Sequence, residues 1–334
     1  MPSSLAGAKT RVIPADPSAL EEAGDLIRKG KLVAFPTETV YGLGANALED
    51  IAVGSIFAAK QRPRINPLIV HVLNSAEAEK LVEFNRPAAE LAEAFWPGGV
   101  TLVLPRRKPC PLALLVSAGL DSAAVRSPAH PVARGLLNAA GVPIAAPSAN
   151  RSGRISPTTA AHALSELDGA LSLILDGGAC PIGLESTIIG FEGDTPVLLR
   201  KGAVTCDAIE QVVGPTRAPN SGKLLAPGMM ESHYAPTTQL RLNAYSVEEQ
   251  EALLAFGDAL PPGSYPALNL SPRGDLTEAA SNLFSMLRIL DKSGTKRIAV
   301  MPIPEIGLGE AINDRLARAA APRDGWVHDS DNLK

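Results

Sequence analysis

Apolar residues along this chain fall into two arrangements. Short unbroken runs bounded by Pro, Gly or polar clusters read as buried strands: Leu32–Phe35, stopped by Pro36, then Leu68–Leu73, Val100–Pro105, Ser122–Arg126, Pro143–Pro147, Leu171–Asp176, Ser186–Phe191 and Val197–Lys201. Between them lie stretches with helical character: Pro17–Lys29 closed by Gly30, Glu49–Ala59, Ser75–Phe84, Pro87–Phe95, His130–Ala140 capped by Gly141, Thr158–Leu167 and Cys206–Val213. Residues 1–11 read as a ragged end. The two kinds do not alternate strictly, so the expected architecture is α/β with a twisted mixed sheet.

Residues 214–238 have a linker's composition, rich in Pro and Gly without hydrophobic period, yet they carry Pro227-Gly228-Met229-Met230 and His233-Tyr234-Ala235-Pro236. Beyond them the pattern predicts a strand near Leu240, a helix over Val247–Phe256, a strand at Tyr265–Leu270, a helix at Leu276–Leu290, a strand at Arg297–Met301 and a helix at Gly309–Ala320. In the helix Leu276–Leu290, Ala279, Ala280, Leu283, Phe284 and Leu287 share one face. This is a small Rossmann-like α/β unit. The expected partition is a catalytic unit at 12–213, a linker and possible active-site lid at 214–238, the small unit at 239–322, and a mobile tail at 323–334.

Composition narrows the function. The 334 residues suffice for two domains. Net charge is −4, so the chain is not globally basic, which weakens a reading as a nucleic-acid coat. Charge is nevertheless uneven: between Pro97 and Ser165 the cations meet only Asp121. Such local positive fields suit a small anionic substrate. Cys110, Cys180 and Cys206 show no paired spacing, which favours a reducing compartment. No run approaches a membrane span, so the expectation is a cytoplasmic protein without membrane contact.

Familiar nucleotide and hydrolase signatures are missing. No GxxxxGK[ST], GxSxG or HExxH occurs; Gly42-Leu43-Gly44 and Gly307-Leu308-Gly309 are half-fingerprints better read as tight turns and close packing. No metal ligand set is expected from the protein. The positive signal is Lys60, Arg62 and Arg64 crowded behind a helix, with Arg126, Ser148-x-Asn150, Ser156 and Arg200 at other element ends. Ligands of open α/β sheets bind at such ends. Cations converging from separate elements make a phosphate clamp.

Taken together, Pro36-Thr37-Glu38-Thr39-Val40-Tyr41-Gly42-Leu43, Lys60-Gln61-Arg62-Pro63, Asn66-Pro67-Leu68, Trp96-Pro97-Gly98, Ala146-Pro147-Ser148-Ala149-Asn150 and Glu185-Ser186-Thr187 resemble the YrdC-like family of L-threonylcarbamoyladenylate synthases. The linker and the unit behind it are similar to the family's long two-domain form. The resemblance implies a YrdC-like domain with a concave basic cleft, and conversion of L-threonine, bicarbonate and ATP, with Mg²⁺, to threonylcarbamoyl-AMP and pyrophosphate. The product would pass to a tRNA threonylcarbamoyl transferase complex, with any tRNA contact indirect. By the same resemblance Thr39, His71, Arg126 and Ser186, with the backbone near Ala146, would hold threonine. Arg62, Asn66, Ser122, Ser148, Asn150, Ser156 and Arg200 would hold ATP, and His233 and Tyr234 would close over it. Lys60 and Arg62 are the expected catalytic cations.

The residue types fit that chemistry. A threonine amine attacks bicarbonate or CO₂, and the resulting carbamate strikes the α-phosphate. Every partner is an anion, and fixed cations in a partly dry cleft offset their repulsion, each donor contributing ~10²–10³ in rate. Arg126 suits a bidentate grip on a carboxylate. A small wall such as Ala146 and Leu184 would separate threonine from serine by ~1–3 kcal/mol. Two alternatives stand beside this reading: an RNA-binding module using the same cleft, disfavoured by 4% aromatic content, and a related carbamoyl-adenylate enzyme using carbamoyl phosphate.

Overall fold

The structure is a computed structural model that describes residues 9–219, 233–263 and 265–322. The linker motif Pro227–Met230 and the 323–334 tail lie outside these residues. The first part of the chain runs β1 (Arg11–Pro14), α1 (Pro17–Arg28), β2 (Val33–Phe35), β3 (Gly42–Asn46), α2 (Asp50–Lys60), β4 (Ile69–His71), α3 (Ser75–Glu79), α4 (Arg86–Phe95), β5 (Val100–Pro105), β6 (Ser122–Arg126), α5 (Pro131–Ala140), β7 (Ile144–Ala145), α6 (Ala160–Leu167), β8 (Leu173–Asp176), β9 (Thr187–Glu192), β10 (Thr195–Arg200) and α7 (Cys206–Val213). The second runs β11 (Gln239–Arg241), β12 (Glu251–Ala255), β13 (Ala267–Asn269), α8 (Leu276–Asp291), β14 (Arg297–Val300) and α9 (Leu308–Ala320).

The first ten strands form one mixed sheet in the order β1-β8-β2-β3-β7-β4-β6-β5-β9-β10. β4 and β6 are parallel neighbours with His71 opposite Arg126, so two candidate site residues end adjacent strands side by side. Helices α1 and α5 pack against the β2–β8 region through Ile27, Leu136 and Leu173, while α2 and α4 bury Ile56, Phe57 and Leu91 in the main core.

Sequence and structure part company at three elements. Gly42–Asn46 is strand β3, not a turn, and pairs antiparallel with β2. Its Gly44 is there for packing: a Cβ would stand 2.8 Å from the Phe35 ring and 2.9 Å from Ile144. Arg11, expected in the ragged end at 1–11, instead opens edge strand β1, which pairs with β8. The helix expected over Val247–Phe256 is replaced by strand β12, buried at every residue. It lies between β14 and β13 in an all-parallel sheet of order β11-β14-β12-β13. A strand covered on both faces needs a continuous apolar run, and in so short a run that pattern is indistinguishable from a buried helix.

The two sheets share a core at their seam. Val40, Ile155, Leu184 and Tyr234 belong to the same apolar cluster as Phe284, Leu287 and Ile312. Gly183, at φ +77°, sits so close to α8 that a Cβ would lie 2.6 Å from the Ala280 carbonyl oxygen.

Candidate active site

Pro36 ends β2, and the next residues form a turn built on hydroxyls. Thr37 Oγ1 donates to the Val40 carbonyl at 2.7 Å and accepts from the Thr39 and Val40 N–H groups at 3.2 Å. This holds Thr39 and Glu38 toward the end of β6, where Arg126 waits. Arg126 donates from Nη2 to Glu38 Oε1 at 2.5 Å, from Nη1 to Thr39 Oγ1 at 2.9 Å and from Nε to the Gly98 carbonyl at 3.0 Å. Of a guanidinium's five N–H donors, two are left for a ligand.

Glu38 Oε2 also accepts from the Ala129 and His130 N–H groups. Burial would raise its pKa, but the charge and hydrogen bonds of Arg126 outweigh that and hold it below the usual carboxylate range. His71 is buried, edge-on to Phe35 at 6.2 Å, and its Nδ1 has no partner among the described residues. Burial, then the Arg126 charge, pushes its pKa down to about 3, so the ring is neutral.

The other side of the site is built from α2 and the ends of β7 and β10. Gln61 takes a left-handed conformation, φ 52°, and stops α2. That turns Arg62 inward, where it donates to the Asn66 and Pro67 carbonyls at 3.2 and 2.9 Å. Arg200, at the end of β10, donates to the Ser186 carbonyl at 2.8 Å and to its Oγ at 3.2 Å. Thr101 and Ser186 share a hydroxyl hydrogen bond at 2.7 Å.

One cavity gathers these groups. Its lining includes Thr39, His71, Arg126, Ala146 and Ser186 together with Arg62, Ser148, Arg200, His233 and Tyr234. Three arginines against the single lining carboxylate of Glu185 make it an anion site.

Five expected residues are placed differently. Lys60 is buried and donates from Nζ to the Ser148 carbonyl at 2.5 Å and to the Asn150 carbonyl, without lining the cavity. Burial, then the Arg62 charge, drives its pKa well down. It ties α2 to the 148–150 loop. Asn150 donates to the Arg151 and Arg154 carbonyls. Asn66 presents its backbone to Arg62. Ser156 donates to Glu185 Oε1 at 2.5 Å. Ser122 stands at the far end of β6 from Arg126, on a separate cavity with Val103, Leu199 and Pro219.

Two carboxylates escaped the sequence reading, Glu38 and Glu185. Both sit inside quoted motifs, next to hydroxyl residues, and that adjacency was the available signal. Arg315 had none: it lies on an ordinary amphipathic helix, α9, yet is fully buried against Glu185. No group of three or more His, Cys, Asp or Glu residues is placed to hold a metal among the described residues. Nor is any helix among them long and apolar enough to cross a membrane.

Comparisons with known proteins bear on the family and the fold. The family profile for the Sua5, YciO and YrdC proteins, described as telomere recombination, matches residues 25–202. A second profile, described as the C-terminal domain of threonylcarbamoyl-AMP synthase, matches residues 204–321. The chain is 41% identical to the threonylcarbamoyl-AMP synthase of Bacillus subtilis, over 91% of this chain and 93% of that protein. It is 43% identical to that of Pyrococcus abyssi, over 90% and 94%. The crystal structure of P. abyssi Sua5 complexed with L-threonine superposes with a TM-score of 0.84 at 38% identity, covering 93% of this chain and 98% of that one.

Proposed function

The chain belongs to the Sua5/YciO/YrdC family of threonylcarbamoyl-AMP synthases, and we propose that it is itself such an enzyme, joining L-threonine, bicarbonate and ATP into threonylcarbamoyl-AMP with release of pyrophosphate and water. The observation that carries this is the convergence of Arg62, Arg126 and Arg200 on one cavity that also offers Thr39, Ser148 and Ser186.

Threonine sits against Arg126, whose remaining N–H groups take its carboxylate, beside Thr39 and Ser186. The neutral His71 ring offers an acceptor for the amine. That matters because only the unprotonated amine forms the N–C bond to bicarbonate or CO₂, and a neutral imidazole does not repel it. A carbamate oxygen then bonds to the α-phosphorus as the bond to pyrophosphate breaks. Arg62, Arg200 and Ser148 hold phosphate oxygens and offset the charge gathering there, each worth ~10²–10³ in rate. Lys60 and Asn150 serve by fixing the 148–150 backbone, and Asn66 by fixing Arg62.

Ser122, Ala124 and Arg126 share one face of β6 by the two-residue period of a strand, which puts Ser122 ~13 Å from Arg126. That distance suits the far end of a nucleotide whose α-phosphate meets threonine. Ser156 lies behind Glu185, and His233 and Tyr234 border the phosphate side. Mg²⁺ enters as part of the substrate, carried on the triphosphate, since the described residues offer no cage for it. The adenylate then passes to a transferase that modifies adenosine in tRNA.

Pyrophosphate release measured with each substrate omitted in turn tests the assignment. Release must require both threonine and bicarbonate; release with ATP alone contradicts it.

A further inference from the structure

We propose that Arg315 is a positioning residue for the nucleotide side of the cavity, acting from α9 of the second sheet through Glu185 and Tyr234. The inference rests on the reading above and extends it, because it gives the second unit a task in the chemistry.

Arg315 is 1% exposed and does not line the cavity, yet its guanidinium touches several pieces of the wall. Nε donates to Glu185 Oε2 at 2.8 Å. Nη2 donates at 2.8 Å to the carbonyl of Lys201, the residue after Arg200. Its Cζ stands 5.0 Å from the centre of the Tyr234 ring. Nη1 is held by Asp314 at 2.6 Å. Glu185 completes the chain of contacts, since its other oxygen accepts the Ser156 hydroxyl at 2.5 Å.

Tyr234 needs such holding. Its φ is +63°, a region disfavoured for a residue with a Cβ. Phe284 of α8 stacks with its ring at 5.7 Å and 23°, and the His233 N–H donates to the Arg318 carbonyl at 3.3 Å. The second unit thus grips the His233–Tyr234 pair with α8 and α9 while Arg315 fixes the wall beneath. Replacing a buried ion pair by well-packed apolar side chains is often neutral or stabilising, so stability alone does not readily account for the pair. Geometry does: a planar fork with several fixed bonds sets the position of each group it touches.

The test uses the full chain with Arg315→Met and Arg315→Lys, titrated calorimetrically with L-threonine and with α,β-methylene-ATP. Arg315→Met removes charged hydrogen bonds, and the ATP analogue is expected to bind about tenfold or more weaker, with threonine affinity within about twofold of wild type. Unchanged threonine binding shows that the Arg126 side stays folded, a split that a merely structural role does not produce. Arg315→Lys keeps one bond to Glu185 and loses the Lys201 carbonyl and the planar stack; it is expected to fall between wild type and Met, and carries the test alone should Met not fold. Loss of both affinities together, loss of threonine affinity alone, or no change in either overturns the proposal. Wild-type protein that binds neither ligand overturns the proposed function instead.

Discussion

Glu38 Oε1 accepts from Arg126 Nη2 at 2.5 Å, with both side chains nearly closed off from solvent. The carboxylate is itself anchored by the Ala129 and His130 N–H groups. A buried pair satisfied in this way orients the guanidinium, so that its free N–H groups face the cavity and not the sheet. Losing one partner of a buried pair leaves the other charge uncompensated, a cost of about 3–5 kcal/mol.

Replacing Glu38 should therefore damage threonine binding although Glu38 does not line the cavity. Glu38→Gln keeps the shape and loses the charge. Its KM for threonine is expected to rise about tenfold or more, equivalent to roughly 1.4 kcal/mol, with KM for ATP little changed. Steady-state kinetics with each substrate varied separately checks this; an unchanged threonine KM removes Glu38 from the positioning of Arg126.

Lys60 and Arg62 should fail in different ways. Arg62→Ala is expected to lower kcat by about 10²–10³ in the folded enzyme, because it removes a cation that lines the cavity, and to lower Tm as well, because the Asn66 and Pro67 carbonyls lose their donor. Lys60→Met leaves two buried carbonyls without their ammonium donor, each costing ~1–3 kcal/mol, so Tm should fall along with activity. Thermal melts and pyrophosphate release on the same preparations separate the two effects; a Lys60→Met enzyme with wild-type Tm and no turnover returns Lys60 to direct chemistry.

Acid should destabilise the protein in two stages. His71 is held near pKa 3, and His233 is pushed down by burial and by the surrounding cations. An unfolded histidine titrates near 6.5, so the unfolded chain takes up these protons first. The stability they contribute is complete above about pH 6.5 and is lost as pH falls toward the folded values. Glu38 and Glu185, both depressed, add a second loss below the ordinary carboxylate pKa of about 4.3. Tm against pH should be flat above neutrality and fall on acidification, and His71→Asn should make the first stage smaller, with His130, His162 and His233, also depressed by burial, keeping the rest. A Tm rising from pH 7 to 5.5 contradicts this.

Gly44 is a packing requirement with no chemical role. In Gly44→Ala the new methyl meets Phe35 and Ile144, and overpacking of this kind costs ~1–3 kcal/mol. Tm should fall by several degrees while the KM values hold in the folded fraction. A neutral Tm shows that the β2–β3–β7 packing is looser than described.

Legibility from the sequence followed a physical division. Residues whose role is chemical and local could be read: Arg62, Arg126 and Arg200 end elements and meet in one cavity, as their positions implied. What depends on long-range packing could not. The ALLA run of β12 reads as helix or strand until its neighbours β13 and β14 are known. Gly42-Leu43-Gly44 reads as a tight turn with close packing; the packing holds at Gly44, against Phe35 and Ile144, but the turn is strand β3, which only its pairing with β2 reveals. Lys60 reads as a ligand cation because sequence shows charge but not direction; only the fold shows Nζ turned toward two carbonyls. Arg315 is silent in sequence because its partner Glu185 lies 130 residues away.

The most direct check follows the carbon atom. Incubating the protein with ¹³C-bicarbonate, L-threonine and ATP and analysing the adenylate by mass spectrometry should give a labelled species that contains both threonine and AMP, with one pyrophosphate released per molecule formed. An adenylate lacking the label, or pyrophosphate formed at the same rate without threonine, contradicts the account that one arginine-lined cavity joins all three anions.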